Sequence, residues 1–209
     1  MLKSVILVFL LGVFSANTQK LNVEVLFESL CPDSLRFISE QLYPNWNDIS
    51  EYVDLKFVPF GKSASLEGGK DFVCQHGPQE CKGNRILSCA IENLPNQNDQ
   101  VEFVNCFMQI YKRTRKHPME DAQQCSHKVN LDFKQLIGCY NSEQGTHLQL
   151  NAEKSTVKFQ PRFIPTVLYN GEFKQQLQDI SLVNFRGLVC ELIGKTFPES
   201  CKKLSTISL

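Results

Sequence analysis

The chain reads as an α/β protein with a cysteine-stapled helical insertion, and three observations predict that class. A strand pattern runs into a helix pattern and back into a strand pattern within the first sixty residues, strand signals return only after residue 165, and six of the nine cysteines fall in the helical stretch between. Leu21 to Leu30 places apolar residues at Leu21, Val23, Val25 and Phe27, the period of a half-buried strand. Cys31-Pro32-Asp33-Ser34 follows at once. Leu35, Ile38, Leu42 and Tyr43 then recur at helical spacing, with Pro44 expected to stop the helix. Pro32 suits the first helical position, because its missing N–H would be unpaired there in any case. Cys31 is therefore expected at the joint between strand and helix.

Val53 to Phe60 reads as a second strand closed by Gly61, and strand–helix–strand is the opening of a parallel sheet. From about residue 64 to 150 the strand signals give way to helical patterns such as Val101, Val104, Phe107, Met108 and Tyr111. Thr166 to Tyr169 reads as a strand again, Asn170-Gly171 as a tight hairpin turn, and Glu172 to Lys174 as the returning segment. A last amphipathic helix is expected from about Ile180 to Ile193, with Leu182, Phe185, Leu188, Val189 and Leu192 on its apolar side. This order is that of a thioredoxin-like fold with helices inserted in its middle.

The first residues bear on compartment. Lys3 gives a small positive start, Val5 to Phe14 form a short apolar run, and Ser15 and Ala16 are small, as in a secretory signal peptide of residues 1–15 with cleavage uncertain by a few positions. That run is too short to span a bilayer, no later stretch reads as a membrane span, and the final Thr206 to Leu209 is no retention signal. Residues 16–209 are then expected to form one domain carrying the insertion. Lysine plus arginine equals aspartate plus glutamate at 22 each, so there is no overall field to attract phosphate, and nucleic acid is not an expected partner.

All nine cysteines follow the leader: Cys31, Cys74, Cys81, Cys89, Cys106, Cys125, Cys139, Cys190 and Cys201. In an oxidising compartment they read as a disulfide framework, and the odd count leaves at least one thiol unpaired or paired outside the chain. The spacing does not choose the connectivity. Cys74, His76, Cys81 and Cys89 could be drawn as a zinc site, but they lack the close C-x-x-C pairs of structural zinc proteins, so no metal is expected. Lys112 to His117 is a basic run, read as a solvated helix end.

A cysteine at a helix start is a favourable nucleophile, since unpaired N–H groups and the helix dipole favour thiolate over thiol. A thiolate there can attack a partner's disulfide and form a mixed disulfide. In a two-cysteine site a second thiol would release the product, but position 34 is serine, whose hydroxyl can only offer Cys31 a hydrogen bond. Taken alone, C-x-x-S in a secreted chain reads more often as half of a structural disulfide than as a redox site.

A longer pattern bears on that choice. Cys74-Gln75-His76-Gly77, two residues, Glu80-Cys81, two residues, Asn84, four residues and Cys89 resemble the signature of the gamma-interferon-inducible lysosomal thiol reductase family. The resemblance extends to Glu28-Ser29-Leu30-Cys31-Pro32, Val58-Pro59-Phe60-Gly61, Cys139 with Glu143-Gln144-Gly145 and on to Asn151-Ala152, Phe163-Ile164-Pro165-Thr166-Val167, Leu188 to Leu192 and Pro198 to Cys201. It implies a thiol–disulfide oxidoreductase acting on disulfide-containing proteins through Cys31, with Ser34 standing where the family has its second cysteine. It implies a cis peptide bond at Ile164-Pro165, facing Cys31 and binding substrate backbone. It implies that the other eight cysteines form four pairs. His76 and Asn84 belong to the signature and read as turn and cap residues holding the cysteine loop rather than as acid–base catalysts. No bound cofactor is expected, and an external thiol, glutathione or cysteine, is the expected electron donor. A role in immune or pathogen-related processing follows from the resemblance, with a pathogen or cell-surface protein among the candidate partners. The location is expected to be extracellular or lysosomal, and the lack of any Asn-x-Ser/Thr sequon leaves secretion at least as well supported as sugar-directed sorting. The competing class is a binding protein that keeps the scaffold and holds a partner without dithiol turnover.

Overall fold

A computed structural model of the chain describes residues 20–194 together with Cys201. The expected leader, residues 1–15, lies outside the described residues. The central sheet has three strands in the order β2, β1, β5. β1 (Leu21–Phe27) pairs in parallel with β2 (Val53–Pro59), Leu21 opposite Val53, and antiparallel with β5 (Thr166–Tyr169), Val25 opposite Val167. The alternation in β1 suggests one wet face, yet Leu26 is as buried as Val25 and only Asn22 is exposed. Helices cover both faces of the sheet, as a central strand with a parallel partner requires. Glu24, the remaining charge, is held by Lys56 Nζ at 2.8 Å.

Between β1 and β2 the chain forms α1 (Pro32–Arg36), a π-helical stretch Phe37–Leu42, a 3-10 turn Tyr43–Asn45 and α2 (Trp46–Ile49). Pro44 does not stop this helical path. It is the second residue of the 3-10 turn, within the first turn where an absent N–H costs little.

The middle begins with a small antiparallel hairpin, β3 (Ala64–Leu66) and β4 (Asp71–Val73), and continues through α3 (Pro78–Asn93), α4 (Gln97–Thr114), α5 (Pro118–Lys128), α6 (Phe133–Tyr140) and α7 (Glu143–Val157). Phe103, Phe107 and Tyr111 lie four residues apart on one buried face of α4, with successive ring centroids 6.1 and 5.0 Å apart. They share one apolar core with Val23, Val25 and Phe27 of β1, so the helices pack onto the sheet rather than beside it. The basic run lies at the end of α4 and in the loop after it, with Arg115 in the left-handed conformation as C-cap.

After β5, Asn170 and Gly171 both adopt positive φ, as the tightest hairpin turns demand. Only one bridge follows, Tyr169 to Glu172, and Glu172 to Lys174 do not form a strand, because α8 (Gln175–Leu192) starts immediately afterwards. α8 begins a turn earlier than its apolar periodicity suggests and kinks at Asn184. Among the described residues no helix is long and apolar enough to cross a membrane.

Candidate redox site

Cys31 is the N-cap of α1, with extended backbone. Pro32 takes the first helical position, and Leu35 N–H donates to Cys31 O at 3.0 Å to close the turn. The sulfur accepts from the backbone N–H of Ser34 at 3.5 Å and lies 3.5 Å from Ile164 O, to which a thiol proton can be donated. Ile164–Pro165 is a cis peptide bond. Cys31, Ser34, Ile164 and Pro165, far apart in sequence, therefore meet at one place. The loop covers the thiol closely: Cys31 is only 6 % exposed, where a helix-start position suggests an open one.

Ser34 is fully buried, and its hydroxyl is not bonded to the sulfur as the sequence suggests. Instead Oγ accepts from Glu28 N–H at 3.4 Å, because that amide, one residue past the end of β1, needs an acceptor in a buried place. The hydrogen bond to sulfur comes from the Ser34 backbone. Asp33 points outward with its side chain 68 % exposed, 4.0 Å from Arg36, so its charge is spent in water and on Arg36.

The loop opposite is fixed from α8. Gln178, fully buried, donates to Pro165 O at 3.0 Å and accepts from Val167 N–H at 2.8 Å. No sequence pattern marked this glutamine, since a lone polar residue near a helix start is usually solvated. Beside the loop is a cleft of about 280 Å³ lined by Phe159, Pro161, Arg162, Phe163 and Phe173.

The residues of the C-Q-H-G pattern hold the other side of the joint. Asn84 Oδ1 accepts from Ser29 N–H at 2.8 Å, and Ser29 Oγ donates to Glu80 O at 3.1 Å. Gly83 permits this contact, since a Cβ there would lie 2.4 Å from Ser29 Oγ. Gly77, at φ +87°, is the N-cap of α3, and Gln75 is exposed in the same loop. His76 Nδ1 lies 2.6 Å from Glu80 Oε2 and 3.3 Å from Glu28 Oε2. Asn84 and His76 thus do more than hold the cysteine loop: they tie the start of α3 to the residues just before Cys31. Glu28 Oε1 accepts from Lys62 N–H at 2.6 Å, under Gly61, whose positive φ and missing Cβ leave room for the carboxylate. Burial, and then the nearby Glu80 charge, push the Glu28 carboxyl up to about 7.

The remaining cysteines are joined as Cys74–Cys81, Cys89–Cys139, Cys106–Cys125 and Cys190–Cys201. Cys74, Cys81 and Cys89 are therefore cystines, and no cysteine zinc site can form from them. Cys31 is the free thiol.

Comparison with known proteins agrees with this geometry. The family model "Gamma interferon inducible lysosomal thiol reductase (GILT)" matches residues 22–129. GILT-like protein 1 of Drosophila melanogaster is 33 % identical over 202 residues, covering 90 % of this chain and 80 % of its own. A gamma-interferon-inducible lysosomal thiol reductase-like protein of Anopheles gambiae is also 33 % identical, covering 97 % and 88 %. Among solved structures, the MdbA thiol-disulfide oxidoreductase of Actinomyces oris superposes with a TM-score of 0.60 at 12 % identity, covering 86 % of this chain and 83 % of that one, a likeness of fold. With a thioredoxin-like fold, a cysteine at its helix start and relatives of this identity over most of their length, the chain belongs to the gamma-interferon-inducible lysosomal thiol reductase family of thiol–disulfide oxidoreductases.

Proposed function

We propose that this member works with a single nucleophilic cysteine. The observation that carries the reading is the pairing pattern: eight cysteines are closed in four disulfides and Cys31 remains a thiol, with a buried serine three residues on where a resolving thiol would stand. In the first step the Cys31 thiolate attacks one sulfur of a substrate disulfide, forming a mixed disulfide and releasing the other sulfur as a thiolate. An external thiol, glutathione or cysteine, then attacks the Cys31 sulfur, releases the second substrate thiol and leaves itself on Cys31. A second external thiol takes up that partner and frees Cys31. The balance is one substrate disulfide reduced to two thiols and two external thiols oxidised to one disulfide. Ile164 O and the Pro165 loop receive an extended substrate segment beside the sulfur, and the neighbouring Phe159, Phe163 and Phe173 cleft favours an apolar side chain next to the substrate cystine.

The family's lysosomal relatives and the leader-like first residues support a secreted or lysosomal setting, with disulfide-bonded proteins as substrates and immune or pathogen-related processing as the context. The test is restoration of the missing thiol. Ser34→Cys is expected to form an internal disulfide with Cys31 and to raise reduction of a protein disulfide at low external thiol, whereas wild type depends steeply on added glutathione. Equal turnover of the two forms without excess thiol would refute the single-cysteine mechanism. The second reading, a partner-holding protein, rests on the same serine, since a mixed disulfide with no internal resolving thiol is long-lived. A Cys31-linked partner that accumulates on wild type, is lost in Cys31→Ser and is not turned over by wild type or Ser34→Cys even with added glutathione selects it.

A further inference from the structure

Glu28, at the exit of β1, and Glu80, in the first turn of α3, are both fully buried, and His76 lies between them with its side chain 31 % exposed. One ligand atom from each lies within 4.8 Å of the others. Each carboxylate spends one oxygen on a backbone N–H: Glu28 Oε1 on Lys62 at 2.6 Å, Glu80 Oε1 on His76 at 2.9 Å. Each leaves its second oxygen facing His76 Nδ1. That nitrogen can carry one proton, and Glu80 Oε2 at 2.6 Å takes it. Glu28 Oε2 is left buried with no hydrogen-bond partner among the described residues, 3.3 Å from the same nitrogen. A buried carboxylate oxygen in that position is costly unless something positive meets it.

We propose that Glu28, His76 and Glu80 form a three-ligand site for a divalent transition-metal ion, Zn²⁺ being the best fit to one imidazole and two carboxylates. Replacing the proton on Nδ1 by the ion lets one imidazole nitrogen and both free carboxylate oxygens act together as ligands. The backbone N–H groups of Lys62 and His76 already orient the two carboxylates from behind, as the outer partners of metal ligands do. Three protein ligands would leave the ion a fourth position for water, and the partly exposed His76 is the member of the set nearest solvent. The scaffold is preformed: the Cys74–Cys81 disulfide closes the loop that bears His76, and the first turn of α3 sets Glu80 four residues on. The bound ion would brace the exit of β1, three residues before Cys31, against α3. This inference does not depend on the single-cysteine mechanism.

The experiment uses the mature, disulfide-intact protein after dialysis against chelator, titrated at neutral pH with Zn²⁺ by calorimetry and with Co²⁺ by visible absorption. One ion per chain is expected, in wild type and in Cys31→Ser alike, and the Co²⁺ form should show ligand-field bands without a sulfur-to-metal charge-transfer band. Glu28→Gln should weaken binding by at least about 100-fold, the upper end of what losing even an outer partner costs. His76→Asn, at a partly exposed position where folding is safe, should do the same. The proposal is overturned if wild type binds no ion, if both variants bind as tightly as wild type, or if the Co²⁺ spectrum carries a sulfur band that vanishes in Cys31→Ser.

Discussion

Cys31 and Cys89 are both buried, one at the cap of a helix and the other inside one, and they do opposite things. Cys89 lies inside α3, its sulfur bonded to Cys139 of α6 across 50 residues of chain, in the shared apolar core. Cys31 sits one position before a helix, where its sulfur meets a backbone N–H and a carbonyl rather than another sulfur. For these two, position relative to the helix separates the uses: inside α3 the cysteine crosslinks to α6, and at the cap of α1 it keeps its thiol.

The largest expected effect falls on the cap. Cys31→Ser should reduce disulfide turnover to the uncatalysed rate and abolish mixed disulfides, while the melting transition stays close to wild type. An inactive but equally stable variant sharpens the contrast, and residual turnover would break it. On the stapled side, the double substitution Cys89→Ala with Cys139→Ala should cost about 2–5 kcal/mol in denaturant unfolding, the usual range for a native disulfide. Thiol attack should still be measurable in whatever fraction remains folded. A loss well under about 1 kcal/mol would mean that helix packing, not the crosslink, holds α3 to α6.

The elements of the sheet were legible in the sequence because strand and helix periods differ so clearly around Cys31, and because Asn170-Gly171 can do little but turn. The hairpin β3–β4 was not, since its three-residue strands are mostly exposed and carry no period. Pro44 misled because a proline that ends one helix can equally stand in the first turn of the next. At the site, Cys31, Ser34 and Pro165 were visible through motif and resemblance, yet the direction of the Ser34 hydroxyl was not, because it is set by the orphan amide of Glu28. Glu28 and Gln178 act through contacts with residues distant in sequence; Glu28 stands in the block that resembles the family but nothing local told its role, and Gln178 stands in no motif.

Gln178 gives the next prediction in size. Gln178→Ala leaves Val167 N–H and Pro165 O without their side-chain partner, which should cost about 1–3 kcal/mol. It should also raise KM for a protein disulfide more than it lowers the rate of Cys31 alkylation, because the loop and not the sulfur is loosened. Alkylation slowed in step with KM would place Gln178 in the nucleophile's own surroundings. The smallest effect is expected at Asp33, which is beside the sulfur in sequence and turned away from it in space. Asp33→Asn should change stability by less than about 0.5 kcal/mol, measured by thermal unfolding, as for other exposed positions.

The most direct test of the single-cysteine account is a mass measurement on wild-type protein mixed with a disulfide-bonded protein substrate in the absence of any other thiol, acid-quenched and mapped without reduction. The account predicts a mixed disulfide on Cys31 alone, with all four other cystines intact, that persists until glutathione is added and then disappears as reduced substrate is released. Prompt release of fully reduced substrate with no adduct, or an adduct on any cysteine other than Cys31, would contradict it.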